Sequence, residues 1–338
     1  MEKGPEIRII GKASSEKKGE IKKEAEKTLF NHFESLSPEE GECFKKFEYP
    51  KSKKEIALIN FANKETCKLM KKVGVESYEI PVENFHIVPP EIYKRFAGEN
   101  GVARADNVKK GVVFNAEYCR DNPVFFGAVT FHEMLHLKAY LSVEAQEINE
   151  DVIVTPYREG ITVLALQEHT NRGNYHEHFS GLHEAIVAEA EKKFLPKIFD
   201  CPELREEKEW ILSEEAKEMK KKLAEEKGIS EKDIIWVGKK GKDDWEIIPY
   251  SYQRKVLNYV CQEIKNEFSD QFQDIDDVYN LFLKAHFTGK ILSLARFVEK
   301  TFGRGSFRLL SNMTTEKKSG VLHLESLKKA RLRQMKKK

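Results

Sequence analysis

The chain has 338 residues, of which 40% are hydrophobic and 34% are charged, and its formal net charge is +2. This length can bury a full core and predicts two subdomains, while the small net charge gives no reason to expect nucleic acid as a partner. No stretch is long and apolar enough to predict a membrane span, and the N-terminal residues lack the apolar core of a secretion signal. The five cysteines have no paired spacing, which is typical of reduced thiols, so we expect a cytoplasmic protein.

The first 117 residues predict short strands and helices in mixed order. Strand predictions come from β-branched and apolar runs, and helix predictions come from charged segments with helical spacing. The expected elements are strand 7–10, helix 15–35, strand 55–62, helix 64–74, strand 85–88, a short helix from Pro90, a polar loop over 100–110 and strand 111–117.

The most informative segment follows, because residues 132–136 read His-Glu-Met-Leu-His. Asn122 is a capping residue type and Pro123 suits the first turn of a helix, so the run from Pro123 predicts a buried helix. His132 and His136 are four residues apart and project from one face, where both imidazoles can bind a single zinc ion. Glu133 is then placed to activate a zinc-bound water. This chemistry is hydrolysis, most often of a peptide bond.

Two other metal-site patterns can be compared with the same segment. The metzincin pattern requires a glycine and a third histidine downstream, where this chain has Ala139 and Ser142, so that class is excluded. Glu133 and His136 also form a Glu-x-x-His pair, as in di-iron helix bundles, but such a site needs a second pair in a comparable helix, and we find none. A zinc hydrolase remains the better interpretation.

A catalytic zinc needs a third protein ligand, and two glutamates compete for this role. Glu159 precedes residues 160–166, which alternate like a strand, and a turn is expected at residues 171–174. Glu184 lies near the start of an alanine- and glutamate-rich segment that predicts a helix. A carboxylate in the first turn of a rigid helix is held better than one at the start of a hairpin. We therefore choose Glu184 and keep Glu159 as the alternative.

Residues 80–195 resemble the gluzincin clan of zinc metallopeptidases, which are relatives of thermolysin. The resemblance is to a bacterial-type member of this clan. The resemblance rests on the His-Glu-x-x-His helix and on the downstream Leu-x-Glu-Ala segment, where His183 replaces the usual asparagine. It implies a zincin-like fold, His132, His136 and Glu184 as ligands of one zinc ion per chain, and Glu133 as the general base. Clan members place a second carboxylate one turn after the ligand. Here that position is Ala188, and we interpret Glu191 as a solvated acid.

The resemblance also implies a cleft beside the metal helix. The strand at 111–117 is expected either to border this cleft and pair with an extended peptide or to be an ordinary core strand. A donor for the developing oxyanion is also needed. The candidates between the two helices are Tyr157, Arg158, His176 and His178, and nothing in the sequence selects one.

The chain after residue 200 has a different character. A charged helix over residues 203–227 and a hairpin made by residues 234–237 and 245–248 precede a mainly helical region with breaks near residues 269, 288 and 303. Residues 328–338 contain seven basic residues and no acid. This tail favours a solvated, frayed C-terminus over a contact with RNA or anionic lipid.

Together these elements predict an α+β protein, in which a mixed-sheet lobe carries the metal helix and a mainly helical C-terminal lobe follows. The expected domains are an N-terminal extension (1–50), a zincin-like catalytic domain (51–200) and a helical subdomain with a basic tail (201–338). The leading hypothesis is a zinc metallopeptidase that acts on a peptide or protein substrate. The alternatives are a non-catalytic scaffold in which zinc joins two helices, or a regulatory or toxin-like protease with one target.

Overall fold

The structure is a computed structural model that describes residues 7–28, 46–97, 101–107, 110–148, 151–166, 175–238 and 245–337. Strands and helices alternate over the first two thirds of these residues, and helices fill the last third. The α+β class predicted from the sequence is therefore confirmed. The expected helix end at 29–35 and the expected turn at 171–174 lie outside the described residues.

The described strands form three sheets. A five-stranded sheet has the order β1-β5-β6-β7-β8, a three-stranded sheet has the order β2-β4-β3, and β9 and β10 form an antiparallel hairpin. Two pairs are parallel, β1 with β5 and β2 with β4, and the other pairs are antiparallel. The strands are β1 (Ile7–Ile10), β2 (Phe85–Val88), β3 (Ala103–Asp106), β4 (Gly111–Asn115), β5 (Leu141–Ile148), β6 (Asp151–Glu159), β7 (Thr162–Leu166), β8 (Tyr175–His178), β9 (Ile234–Val237) and β10 (Trp245–Ile247).

Helices supply most of the described residues. Only the segments at 82–84, 202–204 and 231–233 are short 3₁₀ turns within the described chain. No helix among the described residues is long and apolar enough to cross a membrane. The helices are α1 (Ser15–Thr28), α2 (Lys53–Lys72), α3 (Pro90–Ala97), α4 (Ala116–Cys119), α5 (Pro123–Lys138), α6 (Ser180–Ile198), α7 (Arg205–Ile211), α8 (Glu214–Lys227), α9 (Ser251–Glu267), α10 (Ile275–Thr288), α11 (Leu292–Phe302), α12 (Ser306–Ser311) and α13 (Lys317–Met335).

The strand expected at 55–62 is wrong, because these residues belong to α2. Ser52 caps this helix: its side chain accepts from the Glu55 amide, and the Glu55 carboxylate accepts from the Ser52 amide. The apolar run that suggested a strand buries Leu58, Ile59 and Ala62, which share one helical face. A capping box followed by this spacing specifies a helix, despite the β-branched residues.

Three further expectations differ from the structure. The polar loop expected over 100–110 contains β3, and the hairpin of β5 and β6 was not predicted at all. The single helix expected over 203–227 is broken at Ser213, which caps α8 through the amide of Ala216. The tail does not fray at residue 328, because α13 continues to Met335.

Helix α5 is the centre of the fold and lies between α2 and α6. Asn122 caps it by accepting from the Phe125 amide, with Pro123 in the first turn, as expected. The rings of Phe131 and Phe194 stack with their centroids 4.0 Å apart. Gly127 permits the close approach of α6, since a Cβ there would lie 2.6 Å from the Ile198 side chain. The main core cluster extends from Leu58 to Leu327, and the domain boundaries stay a prediction.

The C-terminal end of α5 is fixed by buried cations. The carbonyl of Leu137 accepts from Lys110 Nζ at 2.7 Å and from the Tyr78 hydroxyl at 3.2 Å. Lys138 is the last residue of α5, and its Nζ donates to two side chains of α2, those of Asn63 and Thr66, both at 2.8 Å. Positive charges at a helix C-terminus are attracted to the negative end of the helix dipole. They therefore stabilise α5 in one position against its neighbours.

A buried ion network joins α6, the β9–β10 hairpin and α9. Arg254 is 3% exposed and donates to Asp233 at 3.0 Å, while Glu189 lies 3.7 Å from the same guanidinium nitrogen, Nη1. Its Nε also donates to the carbonyl of Pro249 at 3.2 Å. This network fixes the loop in which Tyr250 lies.

Replacing Arg254 by Met should lower the free energy of unfolding by about 3 kcal/mol, because Glu189 would lose its buried cation and Asp233 would keep only Lys192. Urea unfolding followed by circular dichroism measures this change. The control is Arg205→Met, which removes an exposed pair with Glu209 and should change stability by no more than about 0.5 kcal/mol. Equal effects of the two substitutions would contradict a stabilising role for the buried network.

Candidate metal centre

His132, His136 and Glu184 converge at the interface of α5 and α6, and we call these three residues the three-donor cluster. The Nε2 atoms of the two histidines are 3.3 Å apart. The carboxylate of Glu184 places one oxygen 3.4 Å from Nε2 of His132 and the other 3.6 Å from Nε2 of His136. The four-residue spacing on α5 brings the imidazoles together. The carboxylate comes from the second turn of α6, because this helix begins at Ser180 and not near Glu184 as expected.

These distances fit a tetrahedral zinc ion. Donors at the usual 2.0–2.1 Å from zinc lie about 3.3–3.4 Å from one another. This is close to the separation of the two Nε2 atoms and to the distance from each Nε2 to its nearer Glu184 oxygen. Two imidazoles and one carboxylate are also the donor set of one class of catalytic zinc site. Within the described chain, the buried Oε2 of Glu184 has no hydrogen bond of good geometry, as expected for an atom that binds a cation. The residues therefore fit zinc.

Each histidine of the cluster has a second carboxylate near its Nδ1 atom, the ring nitrogen that faces away from the cluster. Nδ1 of His132 lies 3.0 Å from Glu191, and Nδ1 of His136 lies 3.4 Å from Glu159. A carboxylate at Nδ1 accepts the proton there, orients the ring and leaves the Nε2 lone pair for a metal. The interpretation of Glu191 as a solvated acid is wrong, because this residue is 2% exposed.

The two candidate third ligands thus occupy different positions. Glu184 faces both Nε2 atoms, whereas Glu159 contacts only His136, on the opposite edge of its ring. By distance alone, His136, Glu159 and His183 form a second group that could hold a metal. That group shares His136 with the three-donor cluster. Nδ1 of His183 is engaged with the Thr162 hydroxyl at 2.7 Å, which orients this ring beneath β7.

The members of the cluster shift one another's pKa values. Burial opposes the charge on His132, but hydrogen bonds to Glu184 and Glu191 outweigh it and raise the pKa to about 10. The pKa of His136 is raised against burial by Glu184 and Glu159. Both imidazoles in turn hold the pKa of Glu184 well below its usual range, again against burial. A cation that binds between these groups therefore displaces protons from the histidines.

Glu133 lies beside the cluster and has the properties of a general base. It is partly buried, and the backbone amide of Ala105 in β3 donates to its carboxylate. Burial raises the pKa of Glu133 above its ordinary value, although both histidines and the Ala105 amide oppose the shift. A base whose pKa is raised towards neutrality takes and returns a proton more readily than an ordinary surface carboxylate.

Tyr250 also reaches the centre, and the sequence did not indicate it. Its hydroxyl lies near the Glu184 carboxylate, and its ring centroid is 6.4 Å from that of His132. The backbone has a left-handed conformation with φ of 56°, which is unusual for a large side chain and is found at functional sites. Burial, followed by the neighbouring carboxylates, raises the pKa of Tyr250, so the hydroxyl keeps its proton as a hydrogen-bond donor.

The oxyanion donors suggested by the sequence stay a prediction. Tyr157 is 38% exposed on β6, and the guanidinium of Arg158 lies over the Tyr140 ring, 5.6 Å from its centroid. His178 is in β8, and the side chain of His176 lies outside the described residues. Tyr250 is the hydroxyl donor that the structure brings to Glu184.

The strand expected to border the cleft is a central strand instead. The segment Gly111–Asn115 pairs with β2 on one side and with β3 on the other, so it has no free edge for a peptide. The edge strands of this sheet are β2 and β3, and the Ala105 amide of β3 contacts Glu133. The ordinary core-strand interpretation of residues 111–115 is therefore correct, and β3 is the strand beside the candidate centre.

Comparison of the chain with protein-family profiles, with curated proteins and with solved structures finds no match.

Replacing Glu184 by Ala should remove a metal ligand, and replacing Glu191 by Gln should weaken only the support of His132. We expect zinc affinity to fall about 10- to 100-fold in Glu191→Gln and further in Glu184→Ala. Competition with a chromophoric chelator measures both changes. The control is Glu218→Gln on the exposed surface of α8, which should bind zinc like the wild type. Wild-type affinity in Glu184→Ala would contradict this ligand set.

Proposed function

We propose that the protein is a zinc-dependent metallopeptidase with one zinc ion per chain. His132, His136 and Glu184 would be the ligands and Glu133 the general base. The observation that carries this proposal is the convergence of three donors at tetrahedral spacing beside a carboxylate whose pKa is raised. Such a set leaves one coordination position for water or substrate, which distinguishes catalytic from structural zinc sites.

Bound zinc would supply a Lewis acid that polarises the substrate carbonyl and makes water acidic. The carboxylate of Glu133 would take a proton from the attacking water, whose oxygen bonds to the carbonyl carbon. Glu133 would return this proton to the amine nitrogen as the carbon–nitrogen bond breaks. The Ala105 amide would hold the Glu133 carboxylate towards β3 throughout this cycle.

Tyr250 would stabilise the negative charge that develops on the carbonyl oxygen. Its hydroxyl is already at the centre near Glu184, and its raised pKa keeps the proton available for donation. A donor held in place before the reaction needs little reorganisation as charge develops, and this is the main source of oxyanion stabilisation. The Arg254 bond to Pro249 would hold the loop that positions this hydroxyl.

The substrate would be a peptide or protein segment in an extended conformation. Strand β3 (Ala103–Asp106) is one edge of its sheet and lies against α5, so a peptide that pairs with backbone groups of β3 other than the Ala105 amide would pass beside Glu133. Main-chain pairing of this kind requires little sequence specificity. A sheet with an edge strand at the metal helix, followed by a helix that bears a glutamate, supports a zincin-like interpretation of the lobe. The buried free cysteines favour a cytoplasmic location.

Replacing Glu133 by Gln should reduce kcat/KM by about 1000-fold and leave zinc content unchanged, because the amide cannot accept the proton. Cleavage of a quenched fluorescent peptide library, with metal analysis of the same samples, measures both quantities. Glu218→Gln on the exposed surface of α8 is the control and should retain activity. An active Glu133→Gln protein would contradict the proposed base. If the wild type binds zinc, has a raised melting temperature only with zinc and cleaves no peptide, the result would support the non-catalytic scaffold.

Replacing Tyr250 by Phe should lower kcat by about 100-fold with little change in KM, because the hydroxyl acts on the charge of the transition state. Steady-state kinetics on the best library peptide separates the two constants. Tyr259→Phe on α9, the helix that follows Tyr250, removes a hydroxyl whose charged neighbours are Glu263 and Arg331, and should change neither constant. A rise in KM with unchanged kcat would instead make Tyr250 a substrate-binding residue.

A further inference from the structure

Helix α13 has one buried face and one exposed face, and the buried face is firmly attached. Leu327 is fully buried, and Gly320 lies against the backbone of α9 at Tyr252. Arg331 donates to Glu263 at 2.8 Å and to Glu267 at 2.9 Å, and also to the carbonyl of Thr301. The helix is therefore a rigid part of the C-terminal lobe, not a loose tail.

The exposed face of α13 combines large apolar side chains with positive charge. Leu322, Leu332 and Met335 are 50%, 60% and 57% exposed, and Val321 is 36% exposed. Val321 and Leu322 lie near the start of the helix and Leu332 and Met335 near its end, so the exposed apolar groups form two separate pairs with charged residues between them. Seven cations accompany them, with Glu325 as the one exposed acid: Lys317, Lys318, Lys328, Lys329, Arg333, Lys336 and Lys337.

An ordinary solvated helix of this protein looks different. On α8, lysines alternate with glutamates, and Lys217 and Lys222 pair with Glu214 and Glu218. Within the described part of the chain, the exposed cations of α13 have no carboxylate within salt-bridge distance; Lys317 and Lys328 contact the rings of Tyr252 and Tyr259 instead. Exposed leucines and uncompensated positive charges are unfavourable in water. Contact with a partner of opposite charge would remove this unfavourable free energy.

We propose that the exposed face of α13 binds the surface of an anionic phospholipid bilayer. The positive charges match phosphate and carboxylate headgroups, and the two apolar pairs can enter the boundary between headgroups and acyl chains. Nucleic acid would use the cations but would leave Leu322 and Leu332 in water. The helix would lie flat, because its other face is attached to the protein by Arg331. This proposal is independent of the metal centre.

Sedimentation of the full chain with vesicles tests the proposal. The vesicles contain phosphatidylcholine alone, or phosphatidylcholine with phosphatidylserine in a ratio of about 7:3, at physiological salt. We expect binding to the anionic vesicles at least about tenfold stronger than binding to the neutral ones. Lys328→Glu/Lys329→Glu and Leu322→Ser/Leu332→Ser should each reduce it by about tenfold or more. These side chains are exposed, so the variants should keep the circular dichroism of the wild type.

The matched control is Lys221→Glu/Lys222→Glu on α8, which makes the same change of charge on another exposed helix and should bind like the wild type. Three results would overturn the proposal. The first is a wild type that binds neither vesicle, and the second is an equal loss in the α8 control. The third is full binding by the leucine variant together with competition by duplex DNA, which would indicate a general polyanion surface.

Discussion

Two imidazoles on one helix can share a metal only when each ring presents an unprotonated nitrogen to a common point. In this protein, carboxylates impose that orientation: Glu191 lies at Nδ1 of His132, and Glu159 lies at Nδ1 of His136. Both Nε2 atoms then point towards Glu184. The charges also balance, since buried acids would be unfavourable without a cation or a proton between them. The rest of the structure depends on this arrangement of charges.

The surrounding fold holds the helices that carry these groups. Lys110 binds the carbonyl of Leu137 at the end of α5, and Lys138 joins this end to α2. The stack of Phe131 and Phe194 sets the distance to α6. The small size of Gly127 makes the approach of the two helices possible. Because these contacts are buried and close-packed, the donors on two helices keep their separation without help from a flexible loop. Rigid support of this kind is what a preformed metal site requires.

Local signals predicted much of this architecture, and long-range contacts account for the rest. The cap at Asn122, the buried run of α5 and the spacing of His132 and His136 all act within a few turns, so they are readable from sequence. Glu191 lies seven residues after Glu184, so the sequence shows that the two share a helix face. The burial of Glu191, however, depends on the packing of α5. Tyr250 lies 66 residues beyond Glu184 and carries no motif, so only the packing of α9 brings it to the centre. The edge position of β3 likewise follows from sheet order, which local propensity does not determine.

The most direct test of the account is zinc X-ray absorption spectroscopy of the full chain loaded with one equivalent of zinc. We predict a four-coordinate shell of nitrogen and oxygen at about 2.0–2.1 Å, with the outer-shell scattering of two imidazoles. This spectrum would mean that His132 and His136 bind the ion with one carboxylate and one exchangeable ligand. A sulfur ligand at about 2.3 Å, or an oxygen-only shell without imidazole scattering, would contradict the three-donor cluster as the metal site.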